Sequence, residues 1–95
     1  MSTVTEKIEM FFDNHSGKSS YVDYQLRLIE QAVKDANRCT ERNDKDFTVI
    51  NFAVARTLIS KLIETITPFS EAIRKELVEI YLKIDDDLVK ANSKL

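Results

Sequence analysis

Apolar residues recur along this chain at the three-to-four-residue spacing of a buried helical face, and polar clusters interrupt them where turns are needed. Val4, Ile8, Phe11 and Phe12 share one face of about three helical turns. Ahead of them, Thr3 and Glu6 have the spacing of a capping box, in which the threonine hydroxyl accepts an amide hydrogen bond and the glutamate reaches back. A short helix is predicted there, followed by a loop from Asn14 to Ser19. Ser20 with Asp23 marks the next start. From Tyr21 to about Arg42, the stripe Val22, Leu26, Ile29, Val33 and Ala36 belongs against a core, with Tyr21, Tyr24 and Leu28 to one side of it.

Glu41 to Asp44 makes a polar turn, and a third helix is predicted from about Asp46 to Thr65. Its residues Phe47, Phe52, Val54, Leu58, Ile59, Leu62, Ile63 and Ile66 cover close to half of the circumference, so neighbours are expected on two sides. The pattern stops at Thr67-Pro68, because proline disfavours helical geometry in the residue before it and suits the first turn of the helix after it. The last helix is predicted from about Pro68 to Ser93, with Phe69, Ile73, Leu77, Ile80, Tyr81, Ile84, Leu88 and Ala91 on one face. Glu71 with Lys75, Glu79 with Lys83 and Asp86 with Lys90 are favourable i, i+4 pairs along it.

Gly17 and Pro68 are the one glycine and the one proline of the chain, so little else interrupts helix. The expected fold is all-α: an antiparallel bundle of three long helices with the short N-terminal helix packed on it. Ile50, Val54, Leu58, Leu62, Ile73, Leu77, Ile80 and Ile84 are its expected core. Residues 1–95 form one domain. Within it, the helix and loop of residues 1–16 admit two readings: a fixed part of the core, or a detachable cover over a partner groove.

Charge and composition narrow the function classes. Sixteen acidic and fourteen basic residues leave a net charge of -2, and no Lys/Arg run forms a basic patch, which argues against nucleic-acid binding. No apolar run approaches the roughly 18 residues of a membrane span, so stable membrane insertion is not expected. The single cysteine, Cys39, has no internal disulfide partner, and the N-terminus lacks the basic start and apolar stretch of a secretory signal. A cytoplasmic setting follows.

No catalytic or cofactor motif is present. His15 and Cys39 make the one possible Cys/His pair, without a nucleophile's sequence context, and read as a solvated loop histidine and a half-buried structural thiol. Asp85-Asp86-Asp87 occupies consecutive helix positions that fan over about 200°, so its carboxylates diverge instead of closing on one metal ion. One glycine cannot build a phosphate loop. No enzyme, metal or cofactor is expected.

The anomaly is a second apolar row on the last helix. Val78, Leu82 and Val89 lie roughly 140–180° from Ile73, where a simple surface helix is polar. Either a neighbouring helix or a second copy covers this row, or it forms a groove for a partner helix. Tyr21, Tyr24 and Leu28 are candidates for the same partner-binding surface.

The stretch Leu77-Val78-Glu79-Ile80-Tyr81-Leu82-Lys83-Ile84, continuing through Leu88-Val89-Lys90-Ala91-Asn92, resembles a characteristic segment of the FliS family of flagellin export chaperones. Ala55-Arg56-Thr57-Leu58-Ile59-Ser60-Lys61-Leu62 is similar to an upstream helix of that family, with the turn at Arg42-Asn43-Asp44 ahead of it. The similarity spans about Leu26 to Lys94 and suggests a shortened or divergent member. It implies a cytoplasmic helical-bundle chaperone, without cofactor or catalysis, that holds the disordered C-terminal part of flagellin as bound helices and prevents premature assembly. Two alternatives come from other classes: a bacteriocin immunity protein, and a homo-oligomeric helical interaction protein such as a homodimer.

Overall fold

The computed structural model describes residues 3–15, 17, 20–66 and 71–93, and among these there are four helices and no strand. They are α1 (Val4–His15), α2 (Ser20–Glu41), α3 (Lys45–Ile66) and α4 (Glu71–Ser93). The capping box starts α1 as its spacing requires: the Thr3 amide donates to Glu6 Oε1 at 2.8 Å and the Glu6 amide to Thr3 Oγ1 at 3.2 Å. At its other end α1 runs through Asn14 and His15, which the sequence assigns to a loop. His15 stays helical because its ring packs on Phe11 one turn back, with centroids 4.8 Å apart. Gly17 then takes a φ of 84°, open to glycine at little cost, and its amide donates to Asp23 Oδ2 at 3.1 Å in the first turn of α2.

The turn between α2 and α3 is a Schellman motif. Asn43 sits at a φ of 59°, its amide donates to the Thr40 carbonyl at 3.1 Å, and the Asp44 amide donates to the Cys39 carbonyl at 2.8 Å. Asp44 then caps α3, with Oδ1 accepting from the Phe47 amide at 3.3 Å. The chain thus leaves one helix and enters the next within three residues. The expected break at Pro68 and the core places of the Ile66 side chain and Phe69 fall outside the described part of the chain.

The helices form a ring in which α2 packs on α1 and α3, and α4 packs on the same two. Among the described residues, no backbone approach within 8 Å links α1 to α3 or α2 to α4. The core fills the centre of the ring. Val4, Ile8, Phe11 and Phe12 of α1 are buried in it, with Leu26, Ile29 and Val33 of α2, Phe52, Ala55, Ile59 and Leu62 of α3, and Leu77, Ile80, Ile84 and Leu88 of α4, while Met10 of α1 faces outward.

Two expected core residues are not there. Ile50 is 51% exposed and Val54 45% exposed, and Phe47 on the same side of α3 is 56% exposed. The cause is the number of neighbours. With α2 on one flank, α4 on the other and α1 diagonally opposite, the outward side of α3 has no described element to pack against. Leu58 and Ile73 stand at the core edge, half-buried.

Candidate interaction surface

Leu77, Ile80, Ile84 and Leu88 already fill the core face of α4, which leaves Leu82 at 58% exposure and Val89 at 57% on the other side; Val78 of the same row is half-buried. Asp85 lies between Leu82 and Val89 in this row, and its Oδ1 accepts from Arg56 Nη1 of α3 at 2.9 Å. The row therefore follows the outer edge of the α3–α4 seam. On α2, Tyr21, Tyr24 and Leu28 are exposed as the sequence suggests.

These two groups do not form one continuous patch, because α3 lies between α2 and α4. What spans the gap is the outward side of α3 itself, with Phe47, Ile50 and Val54. The sequence reading missed these residues as surface. A signal for them was present: at 100° per residue, Ile50 stands about 180° and Val54 about 140° from Ile59, the centre of the packed side.

The candidate chemical groups separate. His15 lies where α1 meets the start of α4, its Nε2 2.9 Å from Glu76 Oε2, and its side chain is largely buried where a solvated loop histidine was expected. The approach is not a hydrogen bond, and among the described residues both ring nitrogens are without one. Cys39 is buried at the far end of α2, taking weak contacts from Arg42 Nη2 at 3.5 Å and Asn51 Nδ2 at 3.8 Å. At 1.5 Å rise per residue, most of α2, about 25 Å, separates the two. No Cys/His pair is assembled.

Each carboxylate of the Asp85-Asp86-Asp87 run has a different arrangement of cations. Asp85 binds Arg56; Asp86 binds Lys90 at 3.0 Å, with Lys83 at 3.9 Å; Asp87 binds Lys83 at 3.0 Å. The bond to Asp86 holds the Lys90 ammonium above its ordinary pKa. Lys83 thus pairs forward with Asp87 instead of back with Glu79. Among the described residues no group of three or more potential ligands is placed to hold a metal ion, and no helix is long and apolar enough to cross a membrane.

The ring is also open at one end. With 12 residues against 22 or 23 in the other helices, α1 leaves one end of the ring uncovered. A cleft of about 480 Å³ lies there, lined by Thr40, Thr48, Phe52, Asp87, Lys90 and Ala91 among others. Its hydroxyls are satisfied locally: Thr48 Oγ1 donates to the Asp44 carbonyl at 2.8 Å and Thr40 Oγ1 to the Ala36 carbonyl at 3.0 Å.

Fold and surface together define an all-helical protein with a filled core and large apolar side chains left in solvent on each of its four described helices. Comparison with protein-family models, with curated proteins and with solved structures gives no match in any of the three.

Proposed function

We propose that this protein is a non-catalytic helical chaperone of the export type, which holds a partially disordered client, by resemblance the C-terminal part of flagellin, and so prevents its premature assembly. The exposure of Leu82 and Val89 carries the proposal. These are large apolar side chains on a helix whose core face is complete without them, at a spacing that an amphipathic client helix can cover. A client that folds as it binds loses chain entropy, and burial of apolar surface is what offsets that cost. Leu82, Val89 and half-buried Val78 offer such surface along the α3–α4 seam, with the Arg56–Asp85 ion pair set into it.

In this proposal the long helices run antiparallel. Thr40 Oγ1 meets Thr48 Oγ1 at 3.4 Å across the α2–α3 turn, and Arg56 meets Asp85 midway along α3 and α4, which is the pairing that short connections between neighbouring helices favour. The protein acts in the cytoplasm and needs no cofactor. Co-expression with the C-terminal segment of flagellin tests the function: the segment co-purifies with the full chain, and the complex has more helix by circular dichroism than the two parts measured alone. Failure of the wild-type chain to retain the segment overturns the proposal.

A further inference from the structure

A second apolar surface lies on the outward side of α3, between its α2 and α4 flanks. Phe47, Ile50 and Val54 are exposed at i, i+3, i+7 spacing, and half-buried Leu58 extends the row. The contacts Thr40–Thr48 and Cys39–Asn51 set α2 against α3 in opposed numbering. Counting back along both helices from these pairs brings exposed Leu28 of α2 level with Lys61 of α3.

The row is self-complementary. A half-turn about an axis through Val54, perpendicular to α3, sets Val54 on its own copy, Ile50 opposite Leu58, and Phe47 opposite Lys61. Asp46 then falls beside Lys61 of the other copy. Among the described residues neither Asp46 nor Lys61 has an ion-pair partner within its own chain. The same rotation keeps the α2 flanks on one side, so Phe47 of one copy meets Leu28 of the other. Asp35, at the level of the axis, is already engaged by Gln31 Nε2 at 3.0 Å and Arg38 Nη1 at 3.4 Å.

We infer that this face takes a second copy of the chain, in a two-fold dimer with the α3 helices antiparallel and Val54 on the axis. Opposite charges placed symmetrically about the centre of an apolar row suit the row to its own image, as isologous interfaces require. An unrelated client imposes no such symmetry. The inference does not rest on the client proposal, which uses the apolar row of α4.

The test is the mass of the full chain by sedimentation equilibrium across a wide concentration range. The dimer predicts a rise toward twice the 11.0 kDa chain mass. Val54→Asp and Asp46→Lys each return the mass to the monomer with helix content unchanged. The double charge swap Asp46→Lys/Lys61→Asp restores the dimer, and Leu82→Asp leaves the mass of the dimer untouched. In a Cys39→Ala background, Val54→Cys forms a disulfide-linked dimer on mild oxidation. A chain that stays monomeric throughout overturns the inference, as does a dimer indifferent to Val54→Asp or not restored by the charge swap.

Discussion

Glu9 of α1 stands against Glu30 of α2 across the first helix pair, and the gain from a proton shared with Glu30, together with the repulsion between the two carboxylates, raises the Glu9 carboxyl above the ordinary glutamate pKa. Glu30 is buried, with Arg27 Nη1 3.2 Å and Lys34 Nζ 3.9 Å from its Oε1, and among the described residues its Oε2 takes no hydrogen bond from a fixed donor. A proton on Glu9 supplies the missing donor. Because the folded value is raised, this contribution to stability is fully present below the unfolded glutamate value and is lost as pH rises through the folded one. Glu9→Gln, which keeps a donor at every pH, is therefore expected to raise the melting temperature at neutral pH and to flatten its dependence just above the ordinary glutamate range. Thermal unfolding of both chains across that range checks it.

Glu6 acts in the opposite direction. Its hydrogen bonds with Thr3 lower its pKa, so its contribution is present above the unfolded value and is lost as pH falls through the folded one. Glu6→Gln is expected to remove stability at neutral pH and to leave the acid limb flatter. The two variants thus shift the pH profile on opposite sides of the ordinary glutamate pKa, and the same melting series separates them.

Phe11 is 2% exposed at the centre of α1, and Leu77 is fully buried on α4. A 12-residue helix is marginal in isolation, so α1 depends on its buried face. Phe11→Ala is expected to cost about 3–5 kcal/mol and Leu77→Ala about 2–5 kcal/mol, each a large share of a small domain's stability. Deletion of residues 1–16 is expected to abolish cooperative unfolding. Denaturant titration with a helix signal measures all three, and a deletion that still unfolds cooperatively and binds client more tightly supports the cover alternative.

Asn43 holds the left-handed position of the α2–α3 turn, a conformation glycine enters without a Cβ penalty. Asn43→Gly is expected to leave stability within about 1 kcal/mol of the parent, while Asn43→Val is expected to cost more than that, because a β-branched residue is strained at this φ. The midpoint of chemical unfolding distinguishes them.

The helices were legible because their signals are local. Thr3 and Glu6 are three residues apart whatever the rest of the chain does, and the stripe of α2 points one way. On α3 the local signal is ambiguous, since apolar residues cover so much of the helix that Ile50 and Val54 read as core as readily as Phe52 and Ile59. The packed side is decided by neighbours, and that depends on where α1 lies, which no window of sequence encodes. Leu82 and Val89 were visible as surface for the converse reason: the α4 stripe is well defined, and they fall off it. His15 was misread because its burial comes from Phe11 and from the approach of Glu76 on another helix.

The affinity of the flagellin C-terminal segment for the wild-type chain and for Leu82→Asp, measured by titration calorimetry beside the melting temperature of each, tests the chaperone proposal most directly. Burying a leucine side chain contributes about 1.5–3 kcal/mol, so its loss is expected to weaken binding at least roughly tenfold. Helix content and melting temperature stay near the parent values, because Leu82 is 58% exposed in the free protein. Unchanged affinity, or an unfolded variant, would contradict the assignment of this row as the client surface.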